Sequence, residues 1–210
     1  VTKHEHACLQ VEKDGALLVL DPGNFTTLLV GLDDVVAIVI THEHPDHWSS
    51  DQLDEILERN PQARIFGPAG VAAAASEFTI EVVKDGDELS VGPFALRFFG
   101  SKHAIIHSSI PVVDNVGVLI DNEVYYAGDS YTVPAGVDVG TLAVPAGAPW
   151  LKIGEVMDYV MTVAPQRSFP VHEMVLSTVG KEMSNGRIQA ATEAGGGEFF
   201  PLKPGESIDL

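Results

Sequence analysis

The feature that most constrains this chain is the run His42-Glu43-His44-Pro45-Asp46-His47, which follows directly on the apolar, β-branched stretch Val35–Ile40. A continuous apolar run of that kind reads as a buried strand. Ser49 or Ser50, followed by acidic residues, reads as the cap of a helix running to about Asn60. The run therefore occupies a turn between a buried strand and a helix. Three imidazoles and a carboxylate in so short a turn are costly to bury unless they serve a purpose. Neutral imidazole and carboxylate are the usual nitrogen and oxygen donors for zinc and similar cations. Pro45 stiffens the turn and keeps the preceding residue out of helix. The expectation is a metal site nucleated here.

One cluster cannot close a site for two metals, and the chain has eight histidines. Lys102-His103-Ala104 follows a strand predicted to end at Phe99. Ala127-Gly128-Asp129-Ser130 follows one ending at Tyr126, and Pro170-Val171-His172-Glu173 follows Arg167–Phe169. Each places a ligand-type side chain just beyond a strand. Taken singly they read as a loop histidine, a turn aspartate and a helix-cap neighbour; gathered at one edge of a sandwich they make a site on a rigid scaffold.

The rest of the chain is compatible with such a scaffold. Hydrophobic residues make up 45% and charged residues 20%, an ordinary globular composition. Asp14-Gly15 joins Cys8–Glu12 to Leu17–Asp21 as a hairpin. Arg64–Phe66 reads as a strand and Ala69–Ser76 as a helix opened by Pro68. Ile80–Val83, Glu88–Val91 and Phe94–Phe99 are separated by Asp85-Gly86 and Gly92-Pro93 turns. Val116–Asp121, Glu123–Tyr126 and Leu142–Pro145 follow as strands, Gly154–Ala164 as a helix, Ser168–Val171 as a strand, and Met174–Met183 and Arg187–Ala194 as two helices. Strand-rich halves, each followed by helices, predict two packed sheets with helices outside, in one α/β domain over residues 1–210.

Charge and cysteine usage narrow the function. Thirty acidic against 12 basic side chains give a formal charge of −18. With no Lys/Arg-rich stripe, such a surface disfavours nucleic acid as a partner. A single thiol, Cys8, cannot form an internal disulfide and reads as buried and inert. No apolar run approaches the roughly 20 residues of a membrane span, and Val1–Gln10 has no signal-peptide core, so no membrane partner and a cytoplasmic location are expected. Oligomeric state stays open; apolar loops are compatible with a homo-oligomer.

The motif His42-x-His44-x-Asp46-His47 resembles the signature of the metallo-β-lactamase superfamily. Asp21-Pro22-Gly23, Gly128-Asp129 and Pro170-Val171-His172 follow in that family's order, so the resemblance spans nearly the whole chain. It implies a four-layer αββα sandwich: two mixed β-sheets with helices on the outer faces. Within the superfamily, His103-Ala104-Ile105-Ile106-His107, Ala148-Pro149-Trp150-Leu151-Lys152 and Glu5-His6-Ala7 look like the L-ascorbate-6-phosphate lactonase-like branch. That branch usually has glycine where this chain has Glu5, and no role is assigned to His4 or His6.

Carried over residue by residue, the resemblance implies two divalent metal ions, zinc first, with manganese, iron or nickel also suited to the donors. His42, His44 and His103 would hold the first; Asp46, His47 and His172 the second; Asp129 would bridge them, and a bridging carboxylate offsets repulsion between two dications. His107 reads as a support or substrate contact. The implied activity is hydrolysis of a small ester, lactone or phosphate-containing substrate by a metal-bridging hydroxide, with Asp46 and Asp129 as catalytic residues and Asp46 orienting the water and accepting its proton. Trp150 is expected as an apolar wall of the pocket and Lys152 as an anion contact, set against plain packing and a helix-start charge. The rivals are a phosphodiesterase or nuclease of the same fold, a glyoxalase II-type thioesterase, a di-iron redox protein and a non-catalytic metal-binding protein. The acidic charge, the short acidic tail after Ser184, the lack of a flavodoxin-like segment and the completeness of the ligand set count against them in turn.

Overall fold

The computed structural model describes residues 1–210. The first sheet has strands β1 (Thr2–Lys3), β2 (Leu9–Lys13), β3 (Ala16–Leu20), β4 (Val35–Val39), β5 (Arg64–Gly67) and β6 (Ile80–Val82), in sequence order across the sheet. The second has β7 (Glu88–Val91), β8 (Phe94–Phe99), β9 (Gly117–Ile120), β10 (Val124–Tyr126), β11 (Thr141–Pro145), β12 (Arg167–Val171) and β13 (Glu198–Phe199), again in order. Both sheets are mixed. β1 to β3 and β7 to β10 are antiparallel; β3 to β6 and β10 to β13 are parallel. Helices α1 (Ser50–Arg59) and α2 (Ala69–Ala74) serve the first sheet, α3 (Ile153–Val163) and α4 (Thr178–Ala194) the second.

The layering follows from the period of two along each strand. In β4, Ala37 and Val39 face the other sheet with Leu18, Leu20, Phe94, Phe98, Val118 and Val171. Ile38, and Ile40 just beyond the strand, face outward with Leu53 and Ile56 of α1 and Val71 of α2. In the second sheet Leu119, Tyr125, Leu142 and Val144 face Val156, Tyr159 and Val160 of α3 and Ile188 of α4. The result is the expected αββα sandwich, with its largest cluster between the sheets.

One expectation differs from the structure, and two short strands go beyond what the sequence predicts. The stretch read as two helices, Met174–Met183 and Arg187–Ala194, is a single helix, α4, and Met174 to Leu176 precede it as a turn. Ser177 caps it by accepting from the Gly180 N–H at 3.2 Å. Asn185-Gly186, which reads as a break, stays helical because Ile188, Ala191 and Thr192 are buried, and such packing outweighs the roughly 1 kcal/mol that glycine costs a helix. Strands β1 and β13, two residues each, have no sequence signature; their neighbours impose them.

β1 brings a charge into the interior. Lys3 is 0% exposed, and its Nζ donates to Glu173 Oε1 at 2.7 Å and to the His4 carbonyl at 2.9 Å. Losing one partner of a buried pair strands the other charge, at roughly 3–5 kcal/mol. Lys3→Ala is therefore expected to lower the urea unfolding free energy by about 3 kcal/mol. The double variant Lys3→Met/Glu173→Leu should recover most of that loss; an equal loss in both would contradict the account.

Candidate metal centre

Every sequence-predicted ligand leaves the C-terminal end of a strand, or the loop just after it, at one edge of the sandwich. His42 to His47 follow β4, His103 follows β8, Asp129 follows β10 and His172 follows β12. The loops are tied to one another through the backbone: Val116 N–H donates to the Thr41 carbonyl at 3.0 Å, Ala104 N–H to Asp129 at 2.8 Å and Asn24 N–H to Pro45 at 2.9 Å. The turn into Asp129 needs glycine. Gly128 has φ +62°, and a Cβ there would meet Asn115 Oδ1 at 2.5 Å and Thr41 Cβ at 2.7 Å. Asn115 is buried against this turn, donating to the Ala127 carbonyl at 2.9 Å and accepting the Asp129 N–H at 3.0 Å.

The seven side chains converge in overlapping groups. His42, His44 and His103 form one, with His42 Nε2 3.1 Å from His44 Nδ1. Asp46, His47 and His172 form a second, which His6 joins, and His42, His47 and Asp129 form a third. Asp129 stands between them. Its Oδ2 lies 3.3 Å from His103 Nε2 and 3.2 Å from His172 Nε2, and its Oδ1 lies 3.3 Å from His47 Nε2.

Three imidazoles are oriented from behind. Nδ1 of His47 donates to Asp21 Oδ2 at 2.6 Å, that of His103 to the Ala104 carbonyl at 2.5 Å, and that of His172 to the Gly147 carbonyl at 2.6 Å. Each tautomer is thereby set with Nε2 directed inward. Those three Nε2 atoms and Asp129 Oδ1 are buried and make no hydrogen bond within the chain. Three orphaned imidazole nitrogens around a carboxylate whose own Oδ1 is unpaired are hard to reconcile with a plain polar core, where buried polar groups are paired. They fit a pair of divalent cations.

The electrostatics point the same way. Burial opposes ionisation of Asp129, but the imidazoles of His172 and His47 outweigh it and hold the carboxyl well below the usual range. Asp46 is half-buried, yet the neighbouring imidazoles of His172 and His6 hold its carboxyl far below the ordinary value. For His47, burial is outweighed by the carboxylates of Asp129 and Asp21, which push its pKa well up; His172, beside Asp129, is pushed up to about 9. Burial lowers His42 and His44 instead, reinforced by neighbouring imidazoles. The raised imidazoles of His47 and His172 couple metal uptake to proton release.

The structure also places residues that sequence reasoning left without a role. Asp21, with φ +45° at the end of β3, accepts from the Thr41 N–H and hydroxyl, both at 2.7 Å, and orients His47. Its position in Asp21-Pro22-Gly23 was the only signal. His6 is fully buried with φ +59°. Its Nε2 donates to Asp46 Oδ2 at 3.0 Å, its Nδ1 accepts the Met174 N–H at 3.4 Å, and its carbonyl accepts the His172 N–H at 2.8 Å. With both ring nitrogens engaged, His6 positions Asp46 and His172.

The three expected substrate contacts differ in how near they lie to the centre. Trp150, read as a pocket wall, is 7% exposed, and its indole N–H donates to Asp129 Oδ2 at 2.8 Å. Lys152 is 80% exposed and pairs with Glu155 at 3.2 Å. His107 is exposed on the loop after His103, bonded to Ser109 at 2.8 Å. Trp150→Phe keeps the ring and removes the donor. We expect about tenfold weaker metal affinity in a chelator competition with the fold retained, since supporting partners of ligands contribute about 10–100-fold. Unchanged affinity would show that the indole only packs.

Comparisons with known proteins identify the family and the fold. A family described as the beta-lactamase superfamily domain matches residues 1–172. Protein Rv0786c of Mycobacterium tuberculosis is 36% identical over 212 residues, covering 99% of this chain and 97% of that protein. A hydroxyacylglutathione hydrolase of Actinobacillus pleuropneumoniae is 28% identical over 124 residues, covering 57% of this chain and 47% of the enzyme. Among solved structures, Igni18, a metallo hydrolase of Ignicoccus hospitalis, superposes with a TM-score of 0.74 at 20% identity, over 99% of this chain and 96% of that one.

Proposed function

The chain belongs to the metallo-β-lactamase superfamily, and on that premise we propose that it is a metal-dependent hydrolase that holds two divalent cations and cleaves a small ester or lactone. The observation that carries this reading is the set of orphaned, inward-facing Nε2 atoms of His47, His103 and His172 around the two oxygens of Asp129. A purely structural site would close its coordination and need no carboxylate shared between two groups of donors.

When bound, two such cations supply Lewis acidity and lower the pKa of water toward neutrality. The chain's own residues do the positioning. His42, His44 and His103 would hold one cation, Asp46, His47 and His172 the other, and Asp129 both. Asp46, 22% exposed, is open to an incoming water. Its carboxylate would accept a hydrogen bond from that water and so orient it. His6 and Asp21 hold Asp46 and His47 in place through the bonds described above. Similarity to a hydroxyacylglutathione hydrolase supports an acyl substrate, although the chain spans about half of that enzyme.

The test is metal content by plasma mass spectrometry on protein purified without chelator, followed by turnover of esters and lactones. About two equivalents per chain, with activity lost to a chelator and restored by zinc or manganese, is the expected outcome. Little or no metal after reconstitution would overturn the reading.

A further inference from the structure

A cleft of about 340 Å³ opens beside Asp46 and His172. Its other walls are Asn24, Phe25, Pro45, Pro149 and Val175, so carbon lines most of it. Phe25 and Val175 stand at its rim, both substantially exposed. No lysine or arginine reaches it. Of the cations on neighbouring segments, Lys152 pairs with Glu155, Lys102 with Asp114 at 2.7 Å, and Lys3 is buried against Glu173. The one charged side chain that the cleft presents apart from His172 is the Asp46 carboxylate.

This composition selects among substrates. A phosphate or carboxylate group brought beside a metal centre is normally held by Arg, Lys or a helix N-terminus. Here it would meet apolar carbon and a carboxylate on a chain of net charge −18. An uncharged alkyl or acyl arm instead removes apolar surface from water on both sides. The volume lies near the small end of ligand pockets, roughly 300–1,000 Å³. We infer that the substrate is an uncharged carboxylic ester or lactone with a short apolar arm, and that Phe25, Pro45, Pro149 and Val175 form the subsite for that arm. This rests on the hydrolase reading above. The reaction balances without a co-reactant other than water: the water oxygen bonds to the carbonyl carbon, the bond to the leaving alkoxide breaks, and a proton from the water passes to that alkoxide, giving acid and alcohol.

The experiment uses the metal-loaded full chain with 4-nitrophenyl acetate, 4-nitrophenyl butyrate, 4-nitrophenyl hemisuccinate and 4-nitrophenyl phosphate, with metal content measured in parallel. Two extra buried methylenes should raise kcat/KM for butyrate about tenfold over acetate. Hemisuccinate, close to butyrate in size but ending in a carboxylate, and phosphate should each fall at least tenfold below butyrate. Val175→Lys should lower butyrate turnover and raise hemisuccinate turnover at unchanged metal content. Hemisuccinate or phosphate turned over as well as butyrate would overturn the inference and leave the hydrolase reading standing. Bound metal with no turnover of any of the four, nor of a simple lactone, would overturn the hydrolase reading and the inference with it.

Discussion

Asp129→Ala is expected to reduce bound metal from about two equivalents to one or fewer and to lower turnover by at least ~100-fold, the upper end of what is lost when a residue that merely supports a ligand is removed. Asp129 is nearly fully buried, and its two oxygens face different donor groups: Oδ1 toward His47, Oδ2 toward His103 and His172. No other carboxylate is placed to serve both. Removing it leaves three buried imidazoles around a gap, without the negative charge that offsets two dications. Asp129→Asn is the companion variant. It keeps the shape and the Trp150 contact, loses the charge, and should also lose metal while far-ultraviolet circular dichroism stays at the wild-type level. Wild-type metal content in both variants would remove Asp129 from the site as a shared ligand.

Gly23→Ala should damage the protein as severely without touching a ligand. A Cβ at position 23 would lie 1.9 Å from the Asp46 carbonyl oxygen, 2.1 Å from its carbon and 2.6 Å from the His47 nitrogen. All three are backbone atoms, so no side-chain rotation relieves the overlap; the two loops must separate. Overpacking a tight contact costs about 1–3 kcal/mol and sometimes more. Here we expect at least ~3 kcal/mol, which for a chain of this length lowers Tm by about 10 °C. The displaced loop carries Asp46 and His47, so metal occupancy should fall in the same variant. Gly154→Ala on α3 is the control. Nothing lies within 4 Å of a Cβ there and its φ is unexceptional, so the gain in helix propensity should leave Tm unchanged or raised. A Gly23→Ala protein that melts with the wild type would show that the two loops are not in contact.

Much of this architecture is legible in the amino-acid order because its signals are local. The β-branched run at Val35–Ile40 has to be buried on both faces, and the structure gives one face to the opposite sheet and the other to α1. The convergence of the candidate ligands is legible for a related reason. Four of them fall within one turn, and the others each follow a strand, where the backbone is rigid. What failed locally failed where packing overrode propensity: Asn185-Gly186 looks like a helix break, yet α4 runs through it because its next turn is buried on the second sheet.

The amino-acid order by itself determined the layering, through the period of burial along each strand, and pointed to seven candidate metal ligands, through donor chemistry that no other local structure explains. Only the tertiary structure decided what stands behind them. That Asp21 orients His47, that His6 braces Asp46, and that Trp150 donates to the central carboxylate are contacts between residues 26, 40 and 21 positions apart. Such roles belong to the distance between side chains after the sheets have packed. A hydrogen bond needs about 3 Å and a suitable angle, and no spacing along the chain encodes either until the loops at the end of the sandwich are brought together.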